Sequence, residues 1–309
     1  MARENGLIIA TEAASDALRP DTTSGRRRLS IAWLGTLPFF AYTLAFLFLP
    51  AGAILAGAFE GRKSGWTLEN VRILFQHPYI DAYKTSVEIS VVTAVLGGAI
   101  GFLIAYAAIR EGTPRWIRSA ISTFSGVAAN FGGIPLAFAF IATIGSLGIV
   151  TVFLRTQLGW DPYQHGFFLP SKQGVEILYL YFQLPLMILV IAPAIDGLRR
   201  EWREAASNLG ASQLQFWRYV GAPVLMPSML GAIILLFGNA FAAYATAYSL
   251  TSGAAGVNLV PILIGSYYTG NVVNNPHLAQ ALAFGMFVVL ALMMLMYIPL
   301  QRRASKWAK

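Results

Sequence analysis

The chain has 309 residues, 56% hydrophobic and only 12% charged, where an ordinary soluble domain is about a quarter charged. That composition identifies a membrane protein, and its helix-length apolar runs make it all-α. The net charge of +8 lies in short basic clusters beside apolar runs, which fits membrane orientation rather than nucleic acid, and the absence of cysteine excludes disulfides and thiol-based metal or redox sites.

Residues 1–28 are polar, mixed in charge and turn-rich over 20–25, so they read as a disordered cytoplasmic tail. Glu4, Glu12 and Asp16 spoil the basic region of a signal peptide, and the next apolar run far exceeds the 7–15 or so residues of such a segment, so it should stay as an anchor. A bilayer core of about 30 Å needs roughly 20 apolar residues in a helix. Five stretches qualify directly, at about 31–59, 87–109, 175–195, 229–250 and 281–300. A sixth, 119–154, carries no charge for 36 residues and would be about 54 Å long as one helix. It should break at Gly132-Gly133-Ile134-Pro135, where two glycines weaken the helix and Pro135 removes a backbone donor. The expectation is a short interfacial or half-inserted segment before the break and a true span over about 134–153. The six-span domain then covers 29–300, with a loop at 198–228 and a basic cytoplasmic tail at 301–309.

With the N-terminus in the cytoplasm, that side holds sixteen of the 22 Lys and Arg residues, among them Arg110, Arg115, Arg118, Arg199, Arg200 and Arg203. The other side holds Arg62, Lys63, Arg72, Lys84, Arg155 and Lys172. The bias places both termini inside and 251–280 outside.

The polar loop begins EWREAASNLGASQLQFWRYVGAP at Glu201. Glu201 to Leu209 favours helix, Gly210 stands where a left-handed cap would end it, and Ser212 with Gln215 has the form of a capping box opening a second helix that ends before Pro223. Trp202, Ala205, Ala206 and Leu209 recur at offsets of three and four, an apolar stripe that the alanines keep low in profile. On physical grounds alone this stripe serves equally as a connector lying on the headgroups or as a seat for another protein.

The loop resembles the EAA loop of permease subunits in type I binding-protein-dependent ABC importers: Glu-Ala-Ala, three residues, Gly, nine residues, Ile, one residue, Leu-Pro. Glu204, Ala205, Ala206 and Gly210 match, and Val220 and Ala222 replace Ile and Leu before Pro223. The resemblance implies the six-helix permease fold of those importers, in a bacterial inner (cytoplasmic) membrane. It implies that Glu204 makes a polar contact to a cytoplasmic ABC ATPase dimer, that Ala205 and Ala206 form the close-packed face, and that Gly210 turns the chain. It further implies a second permease subunit, a homologue or a copy, and a periplasmic solute-binding protein. ATP and Mg would be held by the ATPase alone, with no cofactor on this chain and no chemistry performed by it. No lysine here follows a glycine, so the chain lacks a phosphate-binding Gly-Lys loop. Tyr179 to Leu186 is similar to the polyamine, phosphonate and ferric-iron branch of these permeases.

His77, His165 and His277 fall far apart in predicted external loops, without metal-binding spacing. Glu88 and Asp196 lie at span ends, where they do not make the mid-membrane proton relay of a secondary transporter. That transporter, working without an ATPase, is the alternative reading. Asn130, Gln183, Asn239 and Tyr244 are the candidates for lining a solute path; hydrogen bonding between packed helices is their plainer role. Residues 251–280 carry no charged side chain, and Tyr267 and Tyr268 there are candidates for docking the binding protein, against simple packing within the chain.

Overall fold

A computed structural model describes residues 32–61, 65–110, 112–251, 257–269 and 277–305. The tail expected over 1–28, Arg62, Lys63 and the glycines and asparagines framing the 251–280 loop lie outside the described residues. The chain divides into two units at Gly52/Ala53.

The first unit contains α1 (Ala32–Thr43), a π turn (Leu44–Phe48) and the start of α2 (Leu49–Gly57). Leu49 N–H donates to the Leu44 carbonyl, five residues back, immediately before Pro50. A proline ring inside an α-helix collides with the carbonyl four residues earlier, and a widened turn relieves that clash. The helix therefore continues through Pro50 to Gly57.

The second unit continues with α3 (Glu69–Ile73), α4 (Tyr79–Ile109), α5 (Arg115–Asn130), α6 (Gly133–Ile144) and α7 (Ile149–Gln157). Then follow α8 (Lys172–Asp196), α9 (Arg200–Asn208), α10 (Gln213–Phe216), a second π turn (Trp217–Gly221) and α11 (Ala222–Phe241). It ends with α12 (Ala245–Thr251), α13 (Val260–Thr269) and α14 (Leu278–Ser305). The centre is α4 packed on α8 and α11. A Cβ on Gly97 would lie 2.8 Å from Gln183 Cβ, and one on Gly101 2.7 Å from Met187 Cβ. Only glycine lets these backbones approach so closely, as small residues spaced by four commonly do in membranes. Gly98 receives Ile233 of α11 in the same way.

Two ion pairs sort the helix ends: Glu88 of α4 with Lys172 at the start of α8, and Arg118 of α5 with Asp196 at its end. These are the two groupings expected from charge.

The third apolar stretch breaks where expected, at Phe131-Gly132, with Gly133 at φ +69°. The segment before the break packs against the protein. It runs along α8: Arg118 meets Asp196, Ser125 and Ala128 share a cavity with Tyr181 and Pro185, and Phe140 of α6 stands edge-on to Tyr181 at 5.7 Å. The Tyr163 hydroxyl, in the turn before α8, donates to the Ile144 carbonyl at 2.9 Å. Thus α5 and α6 together traverse the length of α8. The window 133–157 is long and apolar enough to span, yet it breaks again at Gly145-Ser146-Leu147-Gly148, and α7, about 13 Å long, is too short to cross.

The fifth span moves. It is expected over 229–250, but a continuous helical rod runs from Gln213 to Phe241, 29 residues, and stops at Ala242. Tyr244 lies in the break, and Thr246 and Tyr248 lie in α12. Pro223 does not end the loop's second helix, because the π turn before it, with Ala222 N–H donating to the Trp217 carbonyl, absorbs the proline as at Pro50.

Within the uncharged 251–280 region, described residues 257–261 fold back onto the protein. Val257, Leu259, Val260 and Pro261 are buried, and Val260 N–H donates to Ser86 Oγ at 3.0 Å.

Candidate functional site

The polar loop is a jointed pair of helices. Helix α9 ends in a Schellman motif: Ala211 N–H reaches the Ala206 carbonyl and Gly210 N–H the Ser207 carbonyl, both at 2.9 Å, with Gly210 at φ +79°. Two residues later the expected capping box is present. Ser212 Oγ accepts from Gln215 N–H at 3.3 Å, and Ser212 N–H donates to Gln215 Oε1 at 2.7 Å. With each helix end satisfied by its own cap, the joint at Ala211 and Ser212 can be sharp without orphaned backbone groups.

The guanidinium of Arg203 lies 5.6 Å from the Phe216 ring centroid, tying α9 to α10. Glu204 pairs with Arg200 at 2.8 Å across one helical turn. Both side chains are exposed, so the pair contributes little to stability and Glu204 stays available to a partner. The alanines part company. Ala205 is exposed beside Leu209, which is 88% exposed, whereas Ala206 is half-buried and lines a cavity beneath the helix. The outward apolar surface is Ala205 with Leu209, flanked by Trp202 at 38% exposure. Pro223 is half-buried within the rod.

Of the four candidates for a solute path, Asn130 and Asn239 come together. They line a cavity of about 230 Å³ with Gly132, Gly133, Phe182 and Thr246, set between the break in the third crossing and the break after α11. Asn130 Nδ2 donates to the Gly126 carbonyl at 2.9 Å, and Gly133 N–H donates to Thr246 Oγ1 at 2.8 Å. Gln183 is elsewhere. It is fully buried, and Nε2 donates to the Leu236 carbonyl at 3.0 Å while Oε1 has no partner. Its position is the α4–α8–α11 packing seam, the plainer role. Tyr244 stacks on Tyr248 at 5.4 Å and lies against Gly265 of α13, outside this cavity.

Sequence reasoning missed the stripe leading to the cavity. Ser119, Ser122, Thr123 and Asn130 are exposed along α5 at helical spacing, with half-buried Gly126 between them. Their offsets of three and four were readable in the sequence. The Tyr267 hydroxyl shares a 2.6 Å hydrogen bond with that of Tyr79, which holds Tyr267 within the chain, while Tyr268 is exposed.

Several known proteins are similar to this chain. A chain of Nephroselmis olivacea, named a probable sulfate transport system permease protein cysT, is 28% identical over 245 residues, covering 78% of this chain and 80% of the relative. The sulfate transport system permease protein CysT of Synechocystis sp. is 27% identical over 246 residues, 76% of this chain and 77% of the relative. A spermidine/putrescine transport system permease protein PotC homolog of Mycoplasma pneumoniae is 26% identical over 267 residues, 82% and 84% of the two chains. Among solved structures, a bacterial ABC transporter involved in the import of the acidic polysaccharide alginate superposes with a TM-score of 0.69 at 19% identity, covering 88% of this chain and 95% of that one. The likeness is one of fold. The family described as binding-protein-dependent transport system inner membrane component matches residues 149–306, from α7 through the jointed loop to α14. The chain belongs to that family and is a permease subunit of a binding-protein-dependent transport system.

Proposed function

We propose that this chain is a permease subunit of an ATP-driven importer and forms, with a second permease subunit, the pathway for a small polar solute delivered by a soluble binding protein. The observation that carries this reading is α9: an exposed helix, closed at its C-terminus by a Schellman motif, that bears the Glu204-Ala205-Ala206 and Gly210 pattern and is joined by residues 209–212 to a membrane-crossing rod. Glu204, Ala205 and Leu209 form the seat for an ATPase subunit, which holds ATP and Mg. Both termini and α9 face the cytoplasm, and the end of the protein carrying Lys172 faces the binding protein. A solved form of the alginate transporter in complex with a pentasaccharide-bound periplasmic protein, with a TM-score of 0.68, supports a partner of that kind. Tyr268 is the exposed member of the tyrosine pair on the face assigned to that partner.

For the solute, the sulfate permeases among the relatives favour an inorganic oxyanion. The PotC homolog keeps a polyamine as the second reading; phosphonate or ferric iron, suggested by Tyr179 to Leu186, has no support among these relatives. The test is a mild-detergent pull-down of the tagged chain from its native membrane, comparing wild type with Glu204→Arg. A P-loop ATPase and a second permease should accompany the wild type and be lost or uncoupled in the variant. A wild-type chain recovered alone, without ATPase activity, would replace this reading with a secondary transporter. The captured binding protein, titrated with sulfate and with spermidine, decides the solute.

A further inference from the structure

Beneath α9 lies a cavity of about 170 Å³, separate from the Asn130–Asn239 cavity and at the opposite end of the rod. Arg110, the residue that ends α4, and Arg203 of α9 both line it. Ser207 and Gln213 add neutral hydrogen-bonding groups, and Tyr106 and Trp217, in edge-on contact at 4.9 Å, form an aromatic wall. No carboxylate lines the cavity. Among the described residues neither arginine has an acidic partner; Arg203 lies over the Phe216 ring. At the same end Arg118 is paired with Asp196 and Arg200 with Glu204, while Arg199 and Arg218 lie over the rings of Trp202 and Tyr219 and line no such cavity.

Two guanidinium groups around one concavity repel each other unless an anion lies between them, and planar guanidinium forks match tetrahedral oxyanions well. The neutral donors complete such a shell without competing for charge. We propose that this cavity is an oxyanion site, taking a phosphate- or sulfate-type group that bridges the end of α4 to α9. Two sources carry that chemistry. The end of α4 lies at the membrane surface, where anionic lipid headgroups concentrate; a free inorganic oxyanion is the other. Because α9 supplies one wall and α4 another, the bound anion stiffens the joint that the preceding section assigns to the ATPase. The site itself stands on the arginines and the cavity, whether or not that assignment holds.

The experiment uses the full chain in nanodiscs, without any partner. In pure phosphatidylcholine discs, thermal unfolding is followed while sodium sulfate or sodium phosphate is titrated against sodium chloride at matched ionic strength. In parallel, native mass spectrometry counts phosphatidylglycerol retained from mixed-lipid discs. If the source is a free oxyanion, Tm rises saturably with sulfate or phosphate and not with chloride. If the source is lipid, phosphatidylglycerol is retained and the inorganic ions do nothing. In either arm Arg110→Gln and Arg203→Gln should each weaken binding about tenfold, as expected for removing a charge-assisted contact. Lysine at either position should recover part of it, and Arg199→Gln, which removes a cation of α9's first turn that does not line the cavity, should match wild type. Wild-type protein that responds to neither source overturns the proposal without reference to any variant. Equal loss in Arg199→Gln also overturns it, by reducing the effect to general surface charge.

Discussion

Replacing Gly210 by alanine isolates the backbone's contribution to the joint. Gly210 sits at φ +79°, and no atom lies within 4 Å of where its Cβ would stand. The added methyl therefore meets nothing, and the whole effect comes from holding an L-residue in the left-handed region, at about 1–2 kcal/mol. That shifts the opening equilibrium of the cap by about 5–30-fold. The bonds at stake are Gly210 N–H to the Ser207 carbonyl and Ala211 N–H to the Ala206 carbonyl. Hydrogen exchange of the peptide spanning 207–213 should accelerate by that factor, with α8 unchanged as internal reference. Asparagine tolerates the left-handed region, so Gly210→Asn should recover most of the protection. Wild-type exchange in Gly210→Ala would refute the strain argument, and so would asparagine behaving as badly as alanine. In the assembled transporter the alanine variant should hydrolyse ATP but move less solute per ATP.

Gly101→Ala should cost about 1–3 kcal/mol, read as a lower Tm in micelles, because its Cβ would come within 2.7 Å of Met187 Cβ and 3.0 Å of the Leu184 carbonyl. Gly126→Ala, with open space at the same distance, is the matched control and should not lose stability. Gln183→Met should stay within about 1 kcal/mol of wild type, since it removes one interhelical hydrogen bond together with an unpartnered carbonyl, whereas Gln183→Ala leaves a void worth about 2 kcal/mol or more. Finally, the sequence has no cysteine, so Asn130→Cys with Asn239→Cys places a single reactive pair across the cavity. A short bifunctional linker joining them should abolish uptake in the reconstituted importer; full uptake by the linked protein would remove this cavity from the path.

The parts of this structure legible in the sequence are those decided by local chemistry. Gly210 as a left-handed cap and Ser212 with Gln215 as a capping box depend on a few neighbouring residues, and both are found as expected. Spans flanked by charge were also legible, because charge marks where lipid ends. Residues 119–154 contain no such mark, so hydropathy could find the break at Gly132 but not how the two pieces pack. That packing rests on partners distant in sequence, Asp196, Tyr181 and Tyr163. Pro223 misled for a different reason: a proline ends a helix only when the preceding turn stays α-helical, and a π turn is not readable from residue type. For Gln183 the sequence left two roles open, a solute path or the plainer interhelical hydrogen bond, and the deciding partner, the Leu236 carbonyl, is distant in sequence. Asn130 and Asn239 stand 109 positions apart, and only folding brings them to one cavity.

The rod from Gln213 to Phe241 connects what the loop does to what the cavity does. At about 1.5 Å per residue, Asn239 stands about 39 Å from Gln213. Its irregular features, the π turn at Trp217–Gly221, Pro223 and Pro227, all lie between α9 and the rod's midpoint. The other half is regular and is held by Gly98 against Ile233, by Gln183 on the Leu236 carbonyl, and by Tyr297 against Gly231. On the proposed reading, a push on α9 would be absorbed as bending at the base and delivered as tilt of the upper half, since close-packed seams shift between discrete arrangements rather than deform. The tilt ends at Ala242 to Tyr244, opposite the break at Phe131-Gly132, where neither backbone is helical and both can yield. Such coupling is reciprocal. Linking the cysteines at positions 130 and 239 should thus change hydrogen exchange at Ala211, at the far end of the rod, without any partner present. Unchanged exchange there would mean that the two sites move independently and that the rod is not the connection.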